Sequence, residues 1–276
     1  MNILKWLPLT IGLIACHSGE VSTPQRVINL HHEAVERGVT TVSEFESFIN
    51  DPQLFSDRDS AKYIFNRNGW PARSHDELFE EWVSSANLAI TSMSVTLNEP
   101  PIVYVSPHGY AAGVMTKLND RLVVVLNPLR AERNWQPEFV TLHELYHLYS
   151  YQNDPDRLDD LDRRAPTFKG VILDEGTATI NALSDLNLEL LDVFSQPELG
   201  FNEAWEQFNN LPLSYDNERA IGQWFDNVNE GYVNAALIVS RVAACSQLSV
   251  RELSVLSHQR WIELVERDVI MKCVSR

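Results

Sequence analysis

Two rhythms of apolar residues divide the chain. In VINLHHEAVERG the apolar positions are 27, 28, 30, 34 and 35, the spacing of one helix face, and Gly38 can supply the C-terminal stop. VSEFESFIND opens on a capping pattern, Ser43 with Glu46 three later, and stops before Pro52. DSAKYIFNRNG and SHDELFEEWVSSANLAITSM are two further amphipathic stretches, the second opening at Ser74 and Asp76. The helical rhythm therefore runs from Gln25 to about Ser94. It changes at Asn98-Glu99-Pro100-Pro101. IVYV, YAAGVMTKL and RLVVVLNP are rich in strand-forming residues, Asn119-Asp120 reads as a tight hairpin connection, and Pro128 ends the sheet. From Trp135 the pattern is helical again, broken by the acidic connector NDPDRLDDLDRRAP and by polar loops. No repeat or low-complexity tract interrupts this order. Helices, a small sheet and then helices predict an α+β fold. Residues 25–98 form its helical N-terminal part, 99–134 a small and mostly antiparallel sheet with an exposed edge strand, and 135–276 a second helical part, all in one domain spanning 25–276.

Composition supports a folded body. The 276 residues are 44% hydrophobic and 22% charged, enough for a core of ordinary size. The formal charge of −16, from 22 basic and 38 acidic residues, leaves no cationic excess to displace counterions and argues against a nucleic-acid partner. The first residues follow different rules. MNILKWLPLTIGLIAC carries Lys5, an apolar run from Trp6 to Ala15, and then Cys16. That run is too short to span a bilayer and reads as an export signal. Its ending, Leu13-Ile14-Ala15-Cys16, resembles a bacterial lipobox. The resemblance implies that residues 1–15 are a cleaved signal peptide and that Cys16 is lipidated. Residues 16–24 would then tether a water-soluble body to a membrane surface. His17 follows the cysteine where an Asp would retain the protein. By resemblance to Gram-negative sorting, this permits an outer-membrane lipoprotein facing the periplasm or the cell surface. Cys245 and Cys273 then remain, in a compartment where disulfides persist. They form either a bridge, worth about 3 kcal/mol by loop-closure entropy, or two buried thiols.

The chemistry concentrates in TLHELYHLYS. His143 and His147 are four residues apart and share a helix face, with Glu144 beside the first. Phe139, Val140, Leu142, Leu145, Tyr146, Leu148 and Tyr149 make most of this helix apolar and therefore buried. Buried polar groups without partners are costly, and a cation repays that cost. Two imidazoles at i and i+4 suit zinc, with Glu144 set to take a proton from metal-bound water. A third protein ligand is needed. VILDEGTATINAL carries Asp174 and Glu175, and Glu175 lies 28 residues after His147. Either Glu175 completes the site, or the two acids serve a helix N-terminus through its dipole.

HELYH followed by DEGTA resembles the gluzincin zinc metallopeptidases of the thermolysin-like clan, especially their compact bacterial members. The resemblance implies one Zn²⁺ held by His143, His147 and Glu175, with Glu144 as general base in peptide-bond hydrolysis by metal-activated water, and a peptide or protein substrate. Many members carry an Asp that orients the first histidine, at the position held here by Thr179. Thr179, Asn181 or Asp174 can take over that task. An oxyanion donor from a later helix is also implied: Tyr232 first, then Tyr215 and His258. The run Ala111, Ala112, Gly113, Val114 and Met115 resembles the clan's substrate-binding strand edge, against which a peptide can pair. His31 and His32 are expected on the surface, and His108 near the cleft is a minor candidate. Asp154, Asp156, Asp159, Asp160 and Asp162 are read as a solvated loop, since the calcium-loop glycine and bidentate Glu are missing. Two other readings stand beside the peptidase. One is a catalytically weak or inactive gluzincin-like lipoprotein that acts as a binding or structural module. The other is a latent enzyme whose cleft is covered by residues 25–94.

Overall fold

The computed structural model describes residues 27–56, 61, 64–65, 75–109, 111–131, 135–154, 168–195, 200–211, 224 and 228–274. Its strands are β1 (Val27–Asn29), β2 (Val103–Val105), β3 (Gly113–Leu118) and β4 (Arg121–Leu126), side by side in the order β1-β2-β4-β3. Helices α1 (Leu30–Glu36), α2 (Val42–Ile49) and α3 (Asp76–Ser92) precede β2. After the sheet come α4 (Pro137–Asn153), α5 (Phe168–Leu186), α6 (Leu190–Val193), α7 (Phe201–Asn210), α8 (Val228–Ser246), α9 (Val250–Ser254), α10 (His258–Val265) and α11 (Asp268–Val274). The coarse α+β class is as the patterning predicts.

The sheet itself is a correction: it is mixed, not mostly antiparallel. β1 runs parallel to β2 and β2 parallel to β4, leaving β3–β4 as the antiparallel pair. That pair is closed by the expected hairpin at Asn119-Asp120, both left-handed at φ 52° and 59°. The parallel pairs follow from burial on both faces. Val103, Val105, Val124 and Leu126 face one helical layer, while Leu118, Val123 and Val125 face the other. A second correction falls at the N-terminal end, where Val27–Asn29 is a strand and not the first turn of a helix. Asn29 caps α1 by accepting a hydrogen bond from the backbone of His32, so the helix starts only at Leu30. The cap of α2 is likewise shifted, to a box formed by Thr41 and Glu44. DSAKYIFNRNG lies largely outside the described residues.

α3 belongs to the core. Its Phe79, Trp82, Ala86 and Ala89 pack in one cluster with Leu142, Leu145, Tyr146 and Leu148 of α4. A second cluster joins Ile172 and Leu173 of α5 to Ala235, Ile238, Val239 and Val242 of α8 and to Trp261. There the backbones nearly touch: a methyl group at Gly176 would fall 2.4 Å from the carbonyl oxygen of Ala235. Cys245 and Cys273 are joined by a disulfide that ties α8 to α11, with a Cα–Cα distance of 5.8 Å. Cys16 lies outside the described residues. Among the described residues no helix is long and apolar enough to cross a membrane.

Candidate metal centre

α4 begins with Pro137, whose missing N–H is no loss in a first turn, and every residue from Phe139 to Leu148 is buried. It is apolar nearly all round, as a helix enclosed by neighbours must be. α5 packs against it in the opposite sense, bringing Thr179 to His143 and Asp174 to His147. Because α5 begins at Phe168, Asp174 and Glu175 sit beyond its first turn, and the dipole reading of those acids is corrected.

His143, His147 and Glu175 converge. His143 Nε2 lies 3.0 Å from His147 Nε2 and 3.0 Å from Glu175 Oε2, and His147 Nε2 lies 3.3 Å from the same oxygen. Ligand atoms each about 2.0–2.1 Å from a tetrahedral ion stand roughly 3.3 Å apart, so this triangle has the size of one face of such a shell. The three residues can hold a metal ion. Their other ring nitrogens are held as well. Asp174 Oδ2 stands 2.9 Å from His147 Nδ1, and Thr179 Oγ1 stands 3.4 Å from His143 Nδ1. The carboxylate partner thus serves the second histidine, and Thr179 stands at the first. Asn181 is buried two residues further along, with its Nδ2 lacking a hydrogen-bond partner.

Burial pushes the Glu144 carboxyl upward, and Glu175 adds to that push. The two histidines and the backbone N–H of Met115 act against it. For Glu175 burial is outweighed by His147 and His143, which draw the carboxyl down to about 2. Burial disfavours the charged form of His147, yet Asp174 and Glu175 overcome it and hold its pKa well above the usual histidine value. The region is electrically suited to a cation.

Tyr232, on α8, presents its ring edge-on to His143, with centroids 5.5 Å apart. Phe194 stacks on the tyrosine at 5.9 Å and Trp135 meets it edge-on at 6.0 Å. Burial, with Glu175 and Glu144 adding to it, raises the Tyr232 phenol and keeps its proton in place. His258 is elsewhere, against Gly170 near the start of α5. Tyr215 lies outside the described residues.

The expected substrate edge is reached in part. β3 starts at Gly113, after Ala111 and Ala112. Ala112 is buried and its carbonyl accepts a hydrogen bond from Asn127, while Val114 pairs inward with Val125. Alternation along an antiparallel ladder then turns the backbone groups of Gly113 and Met115 away from β4. The Met115 backbone N–H acts on the Glu144 carboxyl, an influence that carries no side-chain signal in the sequence. Two minor candidates are corrected. His31 is buried, stacked on Phe79 at 4.4 Å, because it faces α3; His32 is exposed. His108 is buried and stacked on Phe45 at 4.6 Å, on the far side of the sheet from His143 and His147. Asp154 is buried, and the other four acids of that group lie outside the described residues.

No protein-family model, curated protein or solved structure matches this chain.

Proposed function

We propose that this protein is a zinc-dependent peptidase of the gluzincin type, acting on peptides or proteins outside the cytoplasm as a lipid-anchored lipoprotein. The observation that carries the reading is the convergence of His143, His147 and Glu175 on one point, with a fourth, separate carboxyl, Glu144, beside them. Two imidazoles and one carboxylate form a donor set that suits zinc and leaves one position open for chemistry. Zinc bound there supplies the Lewis acidity that polarises a peptide carbonyl and eases deprotonation of water.

The chain's own residues supply the rest. Glu144 takes the proton of the attacking water and returns it to the leaving amine. Its raised pKa suits both halves of that task. Tyr232, held protonated beside His143, donates a hydrogen bond to the oxyanion. The outward carbonyls of Gly113 and Met115 and the Gly113 N–H can receive an extended peptide backbone as an added strand.

Glu144→Gln tests the reading. The variant should keep its zinc and lose about 10²–10⁴-fold in hydrolysis of a labelled casein. Cleavage at the wild-type rate would overturn it. The second reading, a binding or structural module, draws on the long 3.4 Å contact of Thr179 with His143. It calls for zinc without chelator-sensitive hydrolysis.

A further inference from the structure

α5 and α8 meet with no side chain between them at Gly176. A methyl group there would stand 2.4 Å from the Ala235 carbonyl oxygen, 2.7 Å from its carbon and 2.7 Å from Val239 Cγ2. At Gly113 and Gly170 the atoms approached so closely belong to the side chains of Glu144, Val140 and His258, which can turn aside. A helix carbonyl cannot. It would have to retreat with its helix, by about 1 Å, to reach an ordinary contact distance. Glycine is a poor residue for a helix interior, yet Gly176 stands near the middle of the 19-residue α5.

The place of this contact matters as much as its closeness. Gly176 directly follows Glu175, and Ala235 lies three residues after Tyr232, about one turn along the same side of α8. Tyr232 presents its ring to His143 with centroids 5.5 Å apart. Phe194 and Trp135 flank that ring at 5.9 Å and 6.0 Å. They limit its swing, while the separation of α5 and α8 sets how far it reaches. We infer that Gly176 is a positioning residue: by letting the backbones of α5 and α8 close on each other, it brings Tyr232 onto His143. What Tyr232 does there rests on the peptidase reading; its placement by Gly176 does not.

The test is solution NMR of the full chain with labelled Tyr, His and Phe, for the wild type and Gly176→Ala. The wild type should show ring-to-ring Overhauser contacts for Tyr232 with His143 and for Phe139 with His143, the latter pair lying within α4 at 6.0 Å. Gly176→Ala should lose the first contact and keep the second. Survival of the first in the variant, or its absence from the wild type, would overturn the inference. If Gly176→Ala does not fold, its combination with Val239→Ala takes its place, removing the side-chain clash and leaving the carbonyl one. Failure of both to fold would make the contact one of stability alone and also overturn it. A second arm measures hydrolysis of fluorescein-labelled casein and zinc content. Gly176→Ala should lower kcat about 10²-fold with KM and zinc within about twofold. Tyr232→Phe should lose a similar amount, and the two changes together little more, because both act through one hydroxyl. Losses that multiply, or zinc lost from Gly176→Ala, would place the effect on Glu175 or the fold and overturn positioning through Tyr232. A wild type that cuts no casein would sink the peptidase reading and leave the NMR result standing.

Discussion

Asp174 and Thr179 divide the work of holding the two imidazoles. The carboxylate stands at His147 at 2.9 Å, and the hydroxyl stands at His143 at 3.4 Å. Partners of this kind fix a ring's tautomer and direction, and their loss commonly costs about 10–100-fold in metal affinity. Asp174→Ala is therefore expected to weaken zinc binding by about that factor, measured by competition with a chromogenic chelator, while Thr179→Ala costs less. Equal losses would mean that the two contacts matter alike. The histidines themselves were legible because two imidazoles at i and i+4 on a buried helix point at one spot and need a common partner there. Which ring Asp174 would meet was not, because that depends on how two helices slide past each other. Met115 was illegible for a plainer reason: its contribution is an N–H that every residue but proline possesses.

Between elements, α4 is fastened as well as packed. The Tyr146 hydroxyl donates to Asp185 Oδ2 of α5 at 2.6 Å, and the Ser94 N–H meets the same oxygen at 3.0 Å. Arg251 of α9 approaches the other oxygen at 3.4 Å, and the Ser94 hydroxyl also joins the group. The side chain of Asp185 is only 3% exposed, so each of these donors matters to it. Tyr146→Phe keeps the ring and removes one donor from a buried carboxylate. The expected loss is about 1–3 kcal/mol of stability, read from denaturant unfolding; an unchanged midpoint would show that the remaining donors suffice. Helices were the most readable elements because their apolar periods are long. β1 was missed because three residues, Val27–Asn29, are too few to display a period, and only the neighbouring β2 makes them a strand.

Across the molecule, the sheet is covered on both faces and α3 is built into the layer that carries α4. This bears against a removable cover formed by residues 25–94. Truncation at about residue 95 would strip Phe79, Trp82, Ala86 and Ala89 from the cluster that supports α4, the helix carrying His143 and His147. Loss of large buried side chains costs about 2–5 kcal/mol each, so the shortened chain is expected to be unfolded by circular dichroism and readily proteolysed. A folded and more active fragment would restore the latency reading. The mixed strand order was beyond reach of patterning, since alternation identifies a buried face but not the direction of the neighbour.

Metal analysis of the purified full chain beside Glu175→Ala bears on all of this at once. About one zinc per chain in the wild type, and little or none in the variant after dialysis, is the expected result. Equal zinc in both, or none in the wild type, would contradict it.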